Sequence, residues 1–427
     1  MPDRPGPAVR QLPVSWTLSA HGRRLLTLAT AGLVLALLTQ RPEFAGLAAP
    51  ALLLLATWRP HPPRTLAVQI EMVNRQIPEG EIVPVRLGLD GQDGYETALR
   101  IVPAADITAG PDVIIPRGTD RPGKPVRLHF QPERWGSRPP GAVEIVLRDY
   151  ARLAEGRLPV SLPAIRCVPR PAALQGTILL SRLPARLGEH SARAVGEGGE
   201  FGGVREFVPG DRQRRINWPA TTRLGTLHLS TFAAERIQNV VIIADITADV
   251  GEAGLTTLDL ALRGAAGAFT RYLAGRDRVG LVRYGGGLGW IGPGQGRRHA
   301  DRLMDLLVQG PAAAERPSSV TRLPRAALPP GALILVFTPL LDPRLIETLR
   351  DLRERGFSVL VVDVLNSSPQ HDGSTLSGLA SRIWQLEQQA IRFSLTQIGI
   401  PVVHWDGIAG LDEPLAPFTR RVIAVRR

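Results

Sequence analysis

Lysine and cysteine are almost missing from this 427-residue chain. Of 51 Lys and Arg residues only Lys124 is a lysine, so the net charge of +12 is carried by arginine. So lopsided a ratio reads as codon bias, and charge alone is weak support for a nucleic-acid partner. Cys167 is the single cysteine. No intramolecular disulfide can form, no zinc cluster can be assembled from thiolates, and a reducing compartment fits. Aromatic residues make up 5% of the chain. Nucleic-acid binding would call for aromatics interleaved with the basic residues for stacking, and acids interrupt the basic stretches instead. No G-x-x-x-x-G-K-[ST] occurs, which argues against ATP hydrolysis by this chain. The eight histidines form neither H-E-x-x-H nor close pairs, and there is no G-x-S-x-G. The expectation is a protein that is not an enzyme.

What is present divides into a 1–20 tail and four further segments. Two apolar runs, Leu25–Thr39 and Phe44–Trp58, flank a polar break at 40–43. They read as a transmembrane helical hairpin over 21–60, although each run spans about 22 Å against a hydrocarbon core of about 30 Å. Arg23, Arg24, Arg59 and the interfacial Trp58 would extend them. Arginines precede the first run and follow the second, so the positive-inside bias puts the N-terminus and the C-terminal domains in the cytoplasm. A cleaved signal peptide is the rival reading, and it leaves the second run unexplained. A buried soluble hairpin should have polar faces, which these runs lack.

From Thr65 the apolar period becomes two, as in Leu66, Val68, Ile70 and Met72. The pattern predicts an antiparallel β-sandwich of about seven strands over 61–172. After Asn239 apolar strands alternate with helical segments, which predicts a doubly wound α/β domain over 239–427. Ligands of such sheets gather at the carboxyl ends of the strands, where Asp245 falls. Gly287–Gly292 matches G-x-G-x-x-G by letter, but apolar Trp290 and Ile291 inside it favour a β-hairpin over a dinucleotide loop.

Asp245, Thr247 and Asp249 close the first α/β strand with oxygen-bearing side chains at alternate positions. That spacing can aim oxygens at a hard cation such as Mg²⁺, and the bland reading is an N-capping cluster for the next helix. The group resembles the metal-ion-dependent adhesion site of a von Willebrand factor A domain. Asp249 departs from the hydroxyl usual there, and Thr338 and Asp342 are only loosely placed for a later ligand. A metal-dependent enzyme or ligand-binding domain centred on these residues is the alternative function.

Between the sandwich and the α/β domain, over 173–238, lies GEGGEFGGVREFVPGDRQRRINWPATTR, from Gly196 to Arg223. Glycines and a Pro209-Gly210-Asp211 turn permit an irregular backbone. Arg205, Arg214, Arg215 and Arg223 can hold Glu206 and Asp211 in two-point fashion, and Trp218 offers an anchor or a face for a guanidinium. The segment reads either as a recognition surface for an acidic partner or as an internal clasp. Gly198, Glu200, Phe201, Arg205, Glu206, Gly210, Asp211, Arg215, Ile216 and Trp218 are similar to the signature of the bacterial family domain of unknown function 58 (DUF 58). Phe207 stands where Tyr is common, and Pro219 is unusual after the tryptophan. The resemblance implies a membrane hairpin, a sandwich, a von Willebrand factor A-like domain with an often degraded metal site, and a MoxR-type AAA+ ATPase as partner. The functional expectation is a membrane-anchored adaptor that binds such an ATPase, its client protein, or both, with anionic lipid as a further contact.

Overall fold

A computed structural model describes residues 9–58, 62–72, 76–91, 94–116, 125–178, 180–184, 200–208, 216–233, 237–309, 323–367 and 375–420. Residues up to Pro169 form one compact unit, and Arg170 onward, apart from 308–310, form a second.

The first unit opens with two strands where the sequence suggests a tail. β1 (Val9–Pro13) and β2 (Ser15–Leu18) lead into helices α1 (Ala20–Thr39) and α2 (Glu43–Thr57). Eleven strands follow: β3 (Thr65–Met72), β4 (Gln76–Pro78), β5 (Val83–Asp90), β6 (Glu96–Pro103), β7 (Ile107–Ala109), β8 (Val113–Ile115), β9 (Val126–Pro132), β10 (Gly136–Arg138), β11 (Gly141–Arg148), β12 (Ala154–Ser161) and β13 (Ile165–Val168). They build two antiparallel five-stranded sheets, β1-β3-β5-β9-β7 and β2-β12-β11-β6-β8, and a small third sheet, β10-β13-β4. β1 pairs with β3 and β2 with β12, so the chain start contributes one edge strand to each large sheet. Alternate residues Leu66, Val68, Val85, Leu87, Phe130, Ile145 and Leu147 are buried in the core between them, as period-two patterning dictates. Outward residues of the second sheet carry a ladder the sequence did not announce. Arg148 reaches Glu96 at 3.5 Å and Glu155 at 3.2 Å, and Arg157 reaches Glu155 at 3.3 Å and Glu144 at 3.6 Å. Exposed pairs of this kind contribute little stability each, but they keep the face polar.

α1 and α2 fold back on each other through small residues. Ala29, Ala48 and Ala51 are buried at the contact, and a Cβ on Gly32 would lie 3.3 Å from the Ala48 Cβ and the Phe44 carbonyl. Such close approach is the usual way apolar helices pack without a hydrophobic drive between them. Among the described residues α1 is the one helix long and apolar enough to cross a membrane; α2, at 15 residues, is shorter than that.

The pair is rooted in the sandwich at both ends. Ser19 caps α1, accepting from the Gly22 amide at 2.9 Å, while its hydroxyl donates to the Arg152 carbonyl at 2.5 Å. Its own amide donates to the Leu153 carbonyl at 2.8 Å. A Cβ on Gly22 would lie 2.4 Å from that same oxygen, so only glycine allows the approach. At the other end the Trp58 indole donates to Oδ2 of buried Asp149, whose Oδ1 accepts the Leu153 amide at 2.8 Å.

The second unit begins with β14 (Thr177–Ile178) and a short 3-10 turn. β15 (Glu200–Glu206), α3 (Trp218–Leu224) and β16 (His228–Ala233) come next. Then the sheet starts: β17 (Asn239–Asp245), α4 (Thr257–Ala274), β18 (Arg278–Tyr284), β19 (Gly289–Gly294), α5 (Arg297–Val308), β20 (Leu333–Thr338), α6 (Pro343–Glu354), β21 (Ser358–Asp363), α7 (Thr375–Gln397) and β22 (Val402–His404). α8 (Asp412–Leu415) and β23 (Thr419–Arg420) end the described chain, with β23 pairing β14. The order is β19-β18-β17-β20-β21-β22, all parallel except the β19 edge. Helices cover both faces. Val336 packs with Leu345 and Leu349 of α6, whereas its neighbour Phe337 points to α4, where a Cβ on Gly264 would meet its ring at 2.5 Å. The Gly287–Gly292 stretch is the β18–β19 hairpin, as its apolar content predicts, with Trp290 opposite Val282.

Buried Asp149 serves two donors, the half-buried Trp58 indole and the Leu153 amide. Asp149→Ala is expected to destabilise the detergent-solubilised protein by about 2–4 kcal/mol, the range for stranding donors to a carboxylate. Asp149→Asn, which keeps one acceptor, is expected to lose about half as much. Thermal unfolding of both variants measures this, and equal stability of wild type and Asp149→Ala would show that the clasp carries no load.

Candidate functional site

Each parallel strand of the second unit ends on a polar residue. The five are Asp245, Tyr284, Thr338, Asp363 and His404, closing β17, β18, β20, β21 and β22. Asp245 lies opposite Tyr284, and Asp363 lies between Thr338 and His404 in the register. A polar row therefore crosses the carboxyl edge of the sheet, the edge where such folds hold ligands.

Asp245 is fully buried. Its Oδ1 accepts the Thr247 amide at 2.9 Å and the Thr247 hydroxyl at 2.6 Å, and its Oδ2 accepts the Thr338 hydroxyl at 2.7 Å. The Leu340 amide in turn donates to Thr338 Oγ1 at 2.9 Å. That bond holds a loop in which Leu340 itself takes the left-handed conformation, φ 56°, which is uncommon outside glycine. On the neighbouring loop Gly285, at φ 111°, is required for a second reason: a Cβ there would lie 2.9 Å from the Thr247 methyl. Burial raises the Asp245 carboxyl above its ordinary range, the Thr247 and Thr338 hydrogen bonds oppose the rise, and the Asp342 charge adds to it. Tyr284, which hydrogen-bonds Asp342, is pushed up to about 12 by burial, and by the Asp342 and Asp245 charges.

Thr338 is thus tied directly to Asp245, while Asp342 caps α6 by accepting the Arg344 amide at 2.9 Å. Asp249 is exposed. The N-capping reading of the Asp245–Asp249 group is corrected by the structure. α4 starts later, at Thr257, and its capping box is Thr256 with Asp259. For Mg²⁺ the donor set is one carboxylate already occupied by hydroxyl and amide donors. Among the described residues no three His, Cys, Asp or Glu side chains converge on one point. Asp245 with the Thr247 and Thr338 hydroxyls is the oxygen group this edge would offer a cation.

Beside this network the same edge opens into a cavity of about 1020 Å³, lined by Val250, Leu255, Leu365, Trp384, His404 and Ile408 among others. A smaller one of about 240 Å³ adjoins it at Ser367, Trp384, Gln388 and Arg392. Asp363 anchors its floor, its Oδ2 accepting Arg392 Nε at 2.6 Å and its Oδ1 the Leu365 amide at 2.9 Å. Burial raises the Asp363 carboxyl and the Arg392 charge partly offsets this. Sequence reading missed Tyr284, Asp363, Trp384 and His404. The polar last residue of each apolar strand was the available signal for three of them.

The signature segment folds as a hairpin with a helical tip. β15 and β16 pair antiparallel with a bulge between Phe201 and Gly203. Asn217 caps α3: its Oδ1 accepts the Ala220 amide at 3.1 Å, and its side-chain amide donates to Ser230 Oγ at 3.0 Å. Pro219 sits in the first turn of that helix, where no amide hydrogen is needed, which accounts for its place after the tryptophan. Arg205 is half-buried and donates to the Glu206 carbonyl at 3.1 Å; Glu206 and Arg223 are exposed. Gly210, Asp211, Arg214 and Arg215 lie outside the described residues. Trp218 is 64% exposed, and Val204, Val208, Leu224 and Leu227 are exposed around the same hairpin.

A family model described as "Protein of unknown function DUF58" matches residues 203–373, from within β15 to just before α7. Uncharacterized proteins of Mycobacterium tuberculosis and Mycobacterium bovis are 28% identical over 181 residues, covering 42% of this chain and 51% of theirs. The chain spans about half the length of the curated relatives it matches.

Because burial raises Asp245, the fold favours its neutral form. Its contribution to stability is complete below pH 3.8, the ordinary carboxyl value, and is lost as pH rises through the elevated folded value. Asp245→Asn is therefore expected to flatten the pH dependence of unfolding above pH 4. Asp245→Ala, which leaves two hydroxyls without their acceptor, is expected to cost about 1–3 kcal/mol throughout. Urea midpoints measured from pH 4 to 8 test both; a wild-type profile no steeper than that of Asp245→Asn refutes the assignment.

Proposed function

We propose that this protein is a membrane-anchored binding protein, an adaptor whose signature hairpin and α/β domain engage a MoxR-type AAA+ ATPase, its client, or both. The observation that carries this reading is the outward display of Trp218 with Val204, Val208, Leu224 and Leu227 on one short excursion beside Arg205 and Arg223. Exposed apolar residues rimmed by charge mark interaction sites, and Trp and Arg are the residues most often responsible for binding energy there. The parallel sheet with one antiparallel edge and a polar carboxyl rim supports a von Willebrand factor A-like reading of the domain.

α1 with its exposed leucines supports a membrane anchor. β1 and β2 precede it and belong to the two sheets of the sandwich, so cleavage after α1 would strip an edge strand from each. That favours a retained helix over a removed leader. α2, packed on α1 and extended by Trp58, completes the two-pass reading, with the soluble parts at the cytoplasmic face. Confinement to that surface raises the effective concentration of bound partners without new contacts.

Co-purification of the detergent-solubilised protein with the MoxR-type ATPase of the same organism tests the proposal. Trp218→Ala is expected to weaken recovery by about 30-fold in affinity, the loss of roughly 2 kcal/mol typical of a central interface tryptophan. Arg205→Ala is expected to act in the same direction. Undiminished recovery with both folded variants removes the hairpin from the interface, and failure of wild type to retain the ATPase removes the partner.

A further inference from the structure

α7 carries two apolar stripes on opposite sides. One faces its own domain: Leu395 is buried, Ile391 packs on the core beneath it, and Gln388 and Trp384 continue the line. The other faces solvent. Leu379, Ile383, Leu386, Ala390 and Phe393 follow one another at steps of four, three, four and three residues. Leu379, Ile383, Leu386 and Phe393 are 53%, 58%, 64% and 66% exposed, so nothing in the described chain covers them. Alternating steps of four and three are the heptad spacing of a helix that packs along another helix.

The residue types say which helix. Leu379, Leu386 and Phe393 occupy the d positions, and Ile383 and Ala390 the a positions. Among parallel coiled coils, a β-branched residue at a, here Ile383, with leucine at d favours two strands. Arg382 then falls at g and Glu387 at the following e, and both are exposed. In a parallel pair in register, the g residue of one helix meets the next e residue of the other. Arg382 thus faces the Glu387 position of a second α7, and by symmetry the reverse contact forms as well. An antiparallel pair that buries the stripe along its length brings Arg382 beside Gln389 instead, where no opposite charge meets it. The helix complements its own copy in charge, as an isologous two-fold contact requires.

We propose that α7 is a self-association surface, through which two copies of this chain pair by a parallel, in-register α7 seam. The seam is about 22 Å long, from fifteen residues at about 1.5 Å each. So small a contact belongs with weak and transient interfaces, with dissociation constants of about micromolar or above. It is independent of the signature hairpin and of any ATPase, and it lies beyond the matched residues 203–373.

Cysteine cross-linking of the full-length, detergent-solubilised protein distinguishes the arrangements. Cys167 is buried, so introduced surface thiols report alone. Leu379→Cys, Leu386→Cys and Phe393→Cys are made singly at exposed positions that do not enter the fold. In a parallel seam all three self-pair on mild oxidation, because each lies opposite its own copy within disulfide reach. In an antiparallel seam d residues meet a residues, Leu379→Cys and Phe393→Cys lie far from their own copies, and at most the central Leu386→Cys can self-pair. In the Leu379→Cys background, Arg382→Glu is expected to lower the dimer yield about fivefold, and adding Glu387→Arg to restore it. Cross-linking of Leu386→Cys alone, or failure of the charge reversal to rescue, overturns the parallel seam. Absence of all three cross-links overturns self-association. If the Leu386→Cys thiol is then shielded from a water-soluble alkylating reagent by anionic vesicles, the occupant of the stripe is lipid.

Discussion

A parallel sheet buried on both faces has one place where its strands must stop and the chain must turn, and there the apolar run gives way to polar side chains that water does not reach. In this protein the constraint falls on Asp245 above all. A carboxylate with no exposed surface has either to lose its charge or to be surrounded by donors. The fold does some of each: burial raises the pKa, and Thr247 and Thr338 supply the donors. Those contacts reach into the loops after β17 and β20. They account for the left-handed Leu340, held through Thr338, and for Gly285, which must stay out of the way of Thr247. Asp363 solves the same problem two strands further along with Arg392 in place of hydroxyls. The loop geometry at this edge, and with it the cavity beside Trp384 and His404, follows from how these two acids are satisfied.

The first unit depends on the same device. Asp149 is buried and divides its two oxygens between the Trp58 indole and the Leu153 amide. One acid so fixes the exit of α2, while Ser19 and Gly22 fix the entry of α1 against the Arg152 and Leu153 carbonyls a few residues away. A pair of helices held at both ends by hydrogen bonds has its direction out of the sandwich set by the sandwich. That is a firmer joint than a flexible linker would make.

What the sequence revealed and what it hid follow from the range of the interactions. Strands β17, β20 and β21 were legible because each is a nearly unbroken apolar run, and burial on both faces leaves that signature in a short window. β3, β5, β9 and β11 were legible through alternation. β1 and β2 were not: each is short, sits at a sheet edge, and pairs with a strand more than fifty residues away, so local composition says little about it. The partners of Asp245 were half legible. Thr247 is two residues away and enters any reading of the spacing, whereas Thr338 is separated by 93 residues and is brought in by the adjacency of β17 and β20. The capping box of α4 was readable as Thr256 followed three residues later by Asp259. Residues 209–215, which carry half of the candidate binding set, lie outside the described structure.

The second stripe on α7 shows how an apolar count misleads. A helix rich in leucine, isoleucine, tryptophan and phenylalanine reads as one buried helix, because a sum over a window does not separate two faces. Resolved by position, its apolar residues exceed what one face can bury: Trp384, Ile391 and Leu395 line one side, and Leu379, Ile383, Leu386 and Phe393 the other. The signature hairpin shows the same surplus on a smaller scale. A chain that puts its polar residues inside, at the ends of its strands and at Asp149, and leaves leucines, a phenylalanine and a tryptophan outside, has inverted the usual distribution at particular places. Each buried acid is compensated by named donors within the chain. Among the described residues nothing covers the exposed apolar side chains of α7, and surfaces of that kind gain stability when another molecule covers them.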